Sequence, residues 1–196
     1  DHLSCYQLTI HDRTRFGLLA KRGKLAQLPQ DAQGDLFRLT HRFLGDRGLQ
    51  GYEVSQFAAG PQHRSRHNMK YWSHTPYLGL GPSAHSFEGN RRWWNIRRVD
   101  DYQDCVRDGR RPVEEEETLD SRALVLESLM TGLRTYAGVD LEVIERRWGI
   151  DLLSRNRSRV ERLVSGGYAK LDGSRLVPTL DGLAIADSLT PRFDLG

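Results

Sequence analysis

The order of local signals after residue 118 constrains this chain more than any other feature. Tyr168-Ala169-Lys170-Leu171 and Arg175-Leu176-Val177 are short runs of β-formers. The Asp172-Gly173 pair between them favours the tight primed turn of a β-hairpin. Three helical patterns come before the hairpin. Ala123, Leu126, Leu129, Met130 and Leu133 recur at helical spacing. Asp140 is placed to cap a short helix carrying Leu141, Ile144 and Trp148, which Gly149 ends. Leu152, Leu153, Val160, Leu163 and Val164 mark a third helix that stops at Gly166-Gly167. Thr179 then caps a closing helix with Leu180, Leu183, Ala184 and Leu189. Three helices, a hairpin and a closing helix predict a winged-helix-like domain over residues 118–196.

Residues 1–117 read differently. Cys5 to Ile10 is rich in β-formers and predicts a strand, followed by a polar loop bearing Gly and Lys. Asp31 is placed to cap a helix reaching about Arg47, with Leu36, Leu39, Phe43 and Leu44 on one face and Gly48 beyond its end. Tyr52 to Ala58 predicts a second strand. Strand, helix and strand predict a βαβ unit with parallel strands, so the fold class is α/β with an α+β domain appended. Two strands cannot close a barrel, and their open edge is expected to pair with something, a second copy of the chain being one candidate. The chain opens within a strand pattern, and so reads as part of something longer. Residues 61–117 are rich in Gly, Pro, His and aromatics with weak periodicity, as expected of a connecting or ligand-contacting region. Glu114 to Glu117 reads as a solvated charge run.

At 38% apolar and 28% charged residues, the composition suits a globular protein, and no apolar run reaches the roughly 18–20 residues a membrane span needs. A net charge of +3 permits an anionic partner without demanding one. Cys5 and Cys105 stand far apart, and no charged-then-apolar leader opens the chain. Reduced thiols in a cytoplasmic protein are therefore expected. A four-iron cluster draws on several thiolates close in sequence, which two distant cysteines do not supply.

The most unusual stretch is Arg66-His67-Asn68-Met69-Lys70-Tyr71-Trp72. Its imidazole, amide, phenol and indole suit a flat, polarizable ligand, and Arg64 and Arg66 suit ligand carboxylates. A histidine beside aromatics is also a common packing arrangement. Tyr77 to Ser86 carries Gly79 and Gly81, which permit either close approach to a ligand or a tight turn. Trp93-Trp94, flanked by Arg91, Arg92, Arg97 and Arg98, reads as cation–π packing ahead of base stacking.

Taken in order, the segments His2 to Ile10, Tyr52 to Ala58, His67-Asn68-Met69-Lys70-Tyr71-Trp72 and Tyr77 to Ser86 resemble one family. It is the oxygen-independent coproporphyrinogen III oxidase-like radical SAM family, and within it the HemW-type heme chaperones. The resemblance covers nearly the whole chain. It implies that residues 1–117 form the C-terminal part of a radical SAM partial (β/α)6 barrel, with a winged-helix-like domain over 118–196. It implies heme as ligand, held by His67, Asn68, Tyr71 and Trp72 with His67 as a candidate iron ligand, for transfer to an acceptor protein. It also implies that Phe57, Ala58, Gly79 and Gly81 face S-adenosylmethionine (SAM) or the tetrapyrrole. The family's CxxxCxxC motif, which holds its 4Fe-4S cluster, is not found in this sequence. Radical catalysis by these residues alone is therefore not expected. His11 stands where the family often has Glu, and Ser83 where it commonly has Gly. Two other readings remain. One is an anaerobic coproporphyrinogen III oxidase. The other is a nucleic-acid-binding winged helix using Arg155, Arg157, Arg159 and Arg162, a partner the mild charge does not favour.

Overall fold

A computed structural model describes all of residues 1–196. Its elements run β1 (His2–Ser4), α1 (Arg15–Lys21), α2 (Gln30–Gly45), β2 (Gln50–Gly51), β3 (Gln56–Ala58), a 3-10 turn (Pro61–His63), α3 (Arg66–Trp72), β4 (His85–Glu88), β5 (Arg91–Asn95), α4 (Val99–Arg107) and β6 (Val113–Thr118). They continue with α5 (Ser121–Gly132), β7 (Val139–Asp140), α6 (Leu141–Trp148), α7 (Leu152–Arg155), α8 (Arg157–Ser165), β8 (Ala169–Asp172), β9 (Arg175–Pro178), α9 (Leu180–Ala184), α10 (Ala186–Leu189) and a last 3-10 turn (Thr190–Arg192). The strands form three small sheets ordered β1-β3-β2, β4-β5-β6 and β7-β9-β8. The mixed α/β class expected from the sequence is what the chain adopts.

The expected parallel pairing is corrected. β3 runs antiparallel to both neighbours, pairing Leu3 with Phe57 on one side and Gly51 with Phe57 on the other. What reads as one strand from Tyr52 to Ala58 is an arm of β2, a bend and then β3. The bend reverses the chain, with the Tyr52 amide donating to the Gln56 carbonyl at 3.1 Å. β1 and β2 do share a direction, as a helical crossover requires, and β3 returns between them. The first strand also lies earlier than expected. After the Cys5 amide bonds Ser55 the ladder ends, and Tyr6 and Leu8 are 71% and 67% exposed. β-formers without a neighbouring strand have nothing to pair with.

The polar loop contains α1, whose first turn is satisfied by Thr14 Oγ1 accepting from the Gly17 amide at 3.1 Å. α2 begins at Gln30 after Pro29, and Asp31 sits in the first turn instead of at the cap. Its predicted core stripe is only partly used. Leu44 is buried and His41 sits between Phe37 and Phe57, at ring distances of 4.5 and 4.7 Å. Leu36, Leu39 and Phe43 remain exposed.

The β4-β5-β6 sheet was not legible in the sequence. Glu114 to Glu117 is solvated as expected, but it forms most of β6. Opposite stand Arg91 and Arg92, which pair with Glu116 and Glu117, and such cross-strand charge pairs hold a polar strand in register.

The C-terminal part follows its capping signals. Asp120, Asp140, Asp151 and Thr179 each accept a backbone N–H at a helix start, and Gly149 ends α6 at φ 73°. The expected third helix breaks at Asn156. Its side chain donates to the Leu152 and Asp194 carbonyls and accepts from the Asp194 amide, pinning the chain end to the break. Gly173 makes the hairpin turn at φ 59°. Twelve buried side chains, Leu129, Leu152 and Leu176 among them, form one core, and a smaller core gathers Phe87, Leu119 and Leu124. Trp148 packs against both.

Candidate functional site

The motif helix α3 is anchored at both ends. At its start Ser65 Oγ accepts from the Asn68 amide at 3.3 Å, while the Ser65 amide donates to the Tyr52 hydroxyl at 3.1 Å. That hydroxyl donates to Gln56 Oε1 at 2.8 Å and lies 2.9 Å from His2 Nε2. Burial pushes the Tyr52 phenol up, so it stays neutral in this network. The site is thus tied to β1 and β3.

Beyond the helix, His74 turns the chain at φ 51°, an uncommon value for a residue with a side chain. Its Nε2 lies 3.0 Å from Glu127 Oε2, and Arg92 reaches the same oxygen at 2.5 Å. Burial works against the Glu127 charge, but hydrogen bonds from Arg92 and His74 outweigh it and hold the carboxyl below its ordinary range. This cluster joins α3, β5 and α5. Sequence reasoning missed it because its three members lie far apart in the chain and match no motif.

The four motif residues separate into two pairs. His67 and Tyr71, four apart, share an exposed face with their rings edge to face at 5.0 Å, and Tyr71 meets Tyr77 at 4.7 Å. Asn68 and Trp72 take the next face round and are half-buried. Trp72 Nε1 is buried without an acceptor, an uncommon condition for a polar group. The exposed pair can touch a planar ligand, and the other pair is withdrawn from solvent.

The glycine loop is held from within. Asn95 Nδ2 donates to the carbonyls of Gly79 and Gly81 at 3.3 and 3.0 Å, the Gly79 amide donates to Ser86 Oγ, and the Gly81 amide donates to the Tyr102 hydroxyl. A Cβ at Gly79 would strike the His85 carbonyl, whereas Gly81 faces open space at φ 102°. Close packing therefore explains Gly79, and backbone conformation explains Gly81. Ser86 closes the glycine-bearing segment singled out in the sequence, whereas Asn95 and Tyr102 carried no signal of their own.

Phe57 and Ala58 are 1% and 2% exposed on the central strand of their sheet. What they can offer a ligand is backbone at the strand end, not side chain. Their strand is linked to α3 through Gln56 and Tyr52, whose hydroxyl accepts from the Ser65 amide. In the same bend Glu53 is 1% exposed, and burial pushes its carboxyl up to about 7, although Ser55 N–H and Arg134 oppose the shift. Trp93 and Trp94 are half-buried. Arg91 lies over Trp93 at 5.3 Å and His85 over Trp94 at 5.5 Å, which is the packing arrangement expected.

For an iron–sulfur cluster the residues do not fit. Cys5 and Cys105 are separate free thiols, and no group of three or more His, Cys, Asp or Glu side chains is arranged to hold a metal. No helix is long and apolar enough to cross a membrane.

Comparison with known proteins extends this geometry. Residues 119–185 match the HemN C-terminal domain. The chain is 31% identical to the heme chaperone HemW of Mycobacterium tuberculosis over 189 residues, covering 96% of this chain and 46% of that protein. It is 29% identical to HemW of Bacillus subtilis over 194 residues, covering 98% and 51%. It is 28% identical to the mitochondrial radical S-adenosyl methionine domain-containing protein 1 of Danio rerio, covering 98% and 46%. The fold matches Escherichia coli coproporphyrinogen III oxidase, HemN, a radical SAM enzyme, with a TM-score of 0.67 at 19% identity over 97% of this chain and 47% of that one. The chain thus spans about half the length of the curated relatives it matches. With a HemN C-terminal domain over residues 119–185 and similarity along nearly its whole length, the chain is similar to the C-terminal half of the HemW heme chaperones.

Proposed function

We propose that this chain is the heme-holding part of a heme chaperone that binds heme and passes it to an acceptor protein. The observation that carries the reading is the exposed His67–Tyr71 pair on a helix braced at both ends. An imidazole is a good axial ligand for heme iron, and the adjoining phenol rings offer a surface for the macrocycle. His67 provides the iron contact and Tyr71 shapes the face beside it. Asn68 and Trp72 hold the helix at the angle this contact needs. An exposed site suits a carrier, because a ligand that is to be handed on must leave without unfolding its holder.

Residues 1–117 serve as the C-terminal part of the family's barrel and residues 118–196 as its winged-helix-like domain. In that arrangement Phe57, Ala58, Gly79 and Gly81 line the side facing SAM. A 4Fe-4S cluster supplies electrons for reductive cleavage of SAM in this family, but the residues here cannot ligate one, so no radical step is assigned to them. The chain acts in the cytoplasm, and its partners are heme and the acceptor.

Titration with hemin, followed by mixing with apomyoglobin as a generic acceptor, tests the reading. Saturable binding with a shifted Soret band, then transfer of that band to the acceptor, is expected. Hemin that binds without saturation, or only as aggregate, overturns it.

A further inference from the structure

Most arginines around the motif helix are spoken for. Arg91 and Arg92 pair with glutamates of β6 and α5, Arg98 with Asp101, and Arg134 with Asp187. Arg64, Arg66 and Lys70 are not paired with any carboxylate, and all three line one open cleft of about 410 Å³ beside α3. Met69 forms its only strongly apolar wall besides Pro61, and Ser73 and Thr75 add hydroxyls. The Arg64 guanidinium lies over the Tyr52 ring at 5.5 Å, a contact that favours its position at the cleft. Arg66 and Lys70 stand four apart on one helix, where like charges oppose each other unless an anion sits between them.

The position of the cleft matters as much as its charge. Arg66 precedes His67 by one residue and Lys70 precedes Tyr71 by one, which is about 100° round an α-helix. The cationic face therefore lies about a quarter turn from the His67–Tyr71 face, and neither His67 nor Tyr71 lines the cleft.

A second cleft, about 420 Å³, contains Arg91, Arg111 and Trp93 and is a poorer candidate. Strand side chains alternate. By register Trp93, Arg91 and Glu88 lie on the opposite side of the sheet from Phe87, which also lines this cleft together with Tyr77. Its Arg91 is also held by Glu116 and Trp93.

We propose that Arg64, Arg66 and Lys70 form a carboxylate-binding cleft that takes the two propionates of the heme while His67 meets the iron. The inference rests on the heme-holding reading and adds where the charged edge of the ligand lies, and hence which way round the macrocycle sits.

Titrations with hemin and with hemin dimethyl ester, whose propionates are uncharged, test it on the wild-type chain and on the Arg66→Gln/Lys70→Gln double variant. The wild type should bind hemin roughly threefold to tenfold more tightly than the ester, as expected for exposed charge pairs. The double variant, which keeps Arg64, should lose most of the preference for hemin over the ester, with the Soret position unchanged because the iron contact is intact. A wild type that binds the two alike, or a double variant that keeps the preference, overturns the inference and leaves the heme-holding reading standing. If neither compound binds saturably, the heme-holding reading itself fails and takes this one with it. Inorganic phosphate should compete with hemin. Phosphate that protects the cleft from amine and guanidine modification without weakening hemin binding identifies a free-anion site and overturns the propionate assignment.

Discussion

Residues 125–193 close twelve side chains into one core. Residues 1–45, by contrast, leave Leu3, Phe16, Leu18, Leu28, Leu36, Leu39 and Phe43 at 40% exposure or more. Both regions have helices with apolar stripes, so the stripe alone does not decide what is buried. In the C-terminal part, short loops fold each stripe onto its sequence neighbour, and the hairpin covers what remains. In the leading part the helices have only a thin three-stranded sheet to pack on, and α2 presents half of its apolar residues outward. The stripe that the chain leaves uncovered there stays exposed to solvent. The motif helix lies between the two regimes, tied to the thin sheet by Tyr52 and to the C-terminal part by Glu127.

The sharpest way to break this contrast is to truncate a core leucine. Leu129→Ala, at a position with 0% exposure, should cost about 2–5 kcal/mol, visible as a large drop in denaturation midpoint. A cost below 1 kcal/mol would mean that this core is not the stable part of the molecule.

The tie between the regions should come next in size. Glu127→Gln removes the charged partner of Arg92 and His74 and should cost about 1–3 kcal/mol at neutral pH. Because the Glu127 carboxyl is held low, its contribution is present above its unfolded value and is lost as pH falls through the folded one. The gap between variant and wild type should therefore narrow in acid. A gap that is constant with pH would show that the carboxylate charge does not hold the tie.

Glu53 acts in the opposite sense. Its folded pKa, about 7, lies above its ordinary 4.5, so it favours the fold fully below 4.5, and that contribution is lost as pH rises through 7. Glu53→Gln should raise Tm by on the order of a few degrees at pH 8 and leave it nearly unchanged at pH 4. A variant less stable at pH 8 would show that the ionised carboxylate is needed, through Arg134 and the Ser55 amide.

The smallest effect is expected on the outward face of α2. Phe43→Ala, half exposed, should change stability by no more than about 0.5 kcal/mol. A larger loss would show that this face is covered in solution.

The contrast also explains what the sequence revealed. Asp140, Gly149, the Asp172-Gly173 turn and Thr179 act within a few residues of themselves, and each sits where local chemistry puts it. The Asn156 break was invisible because its partner, Asp194, is 38 residues away. Non-local pairing likewise decided the direction of β3 and the existence of the β4-β5-β6 sheet, where a run of glutamates becomes a strand only opposite Arg91 and Arg92. At the site, the motif named His67 and Tyr71, but it did not show that they share one face of a helix. It gave no sign of His74 and Glu127, which brace the helix, or of Asn95, which ties down the glycine loop.

The central claim is that the exposed pair on α3 touches heme while the inward pair holds the helix. It is tested most directly by measuring hemin binding and thermal stability together in His67→Ala and Trp72→Ala. The account predicts that His67→Ala abolishes the shifted Soret band with Tm within about a degree of wild type, as for an exposed side chain, while Trp72→Ala lowers Tm. A His67→Ala chain that binds hemin with the wild-type spectrum would contradict it.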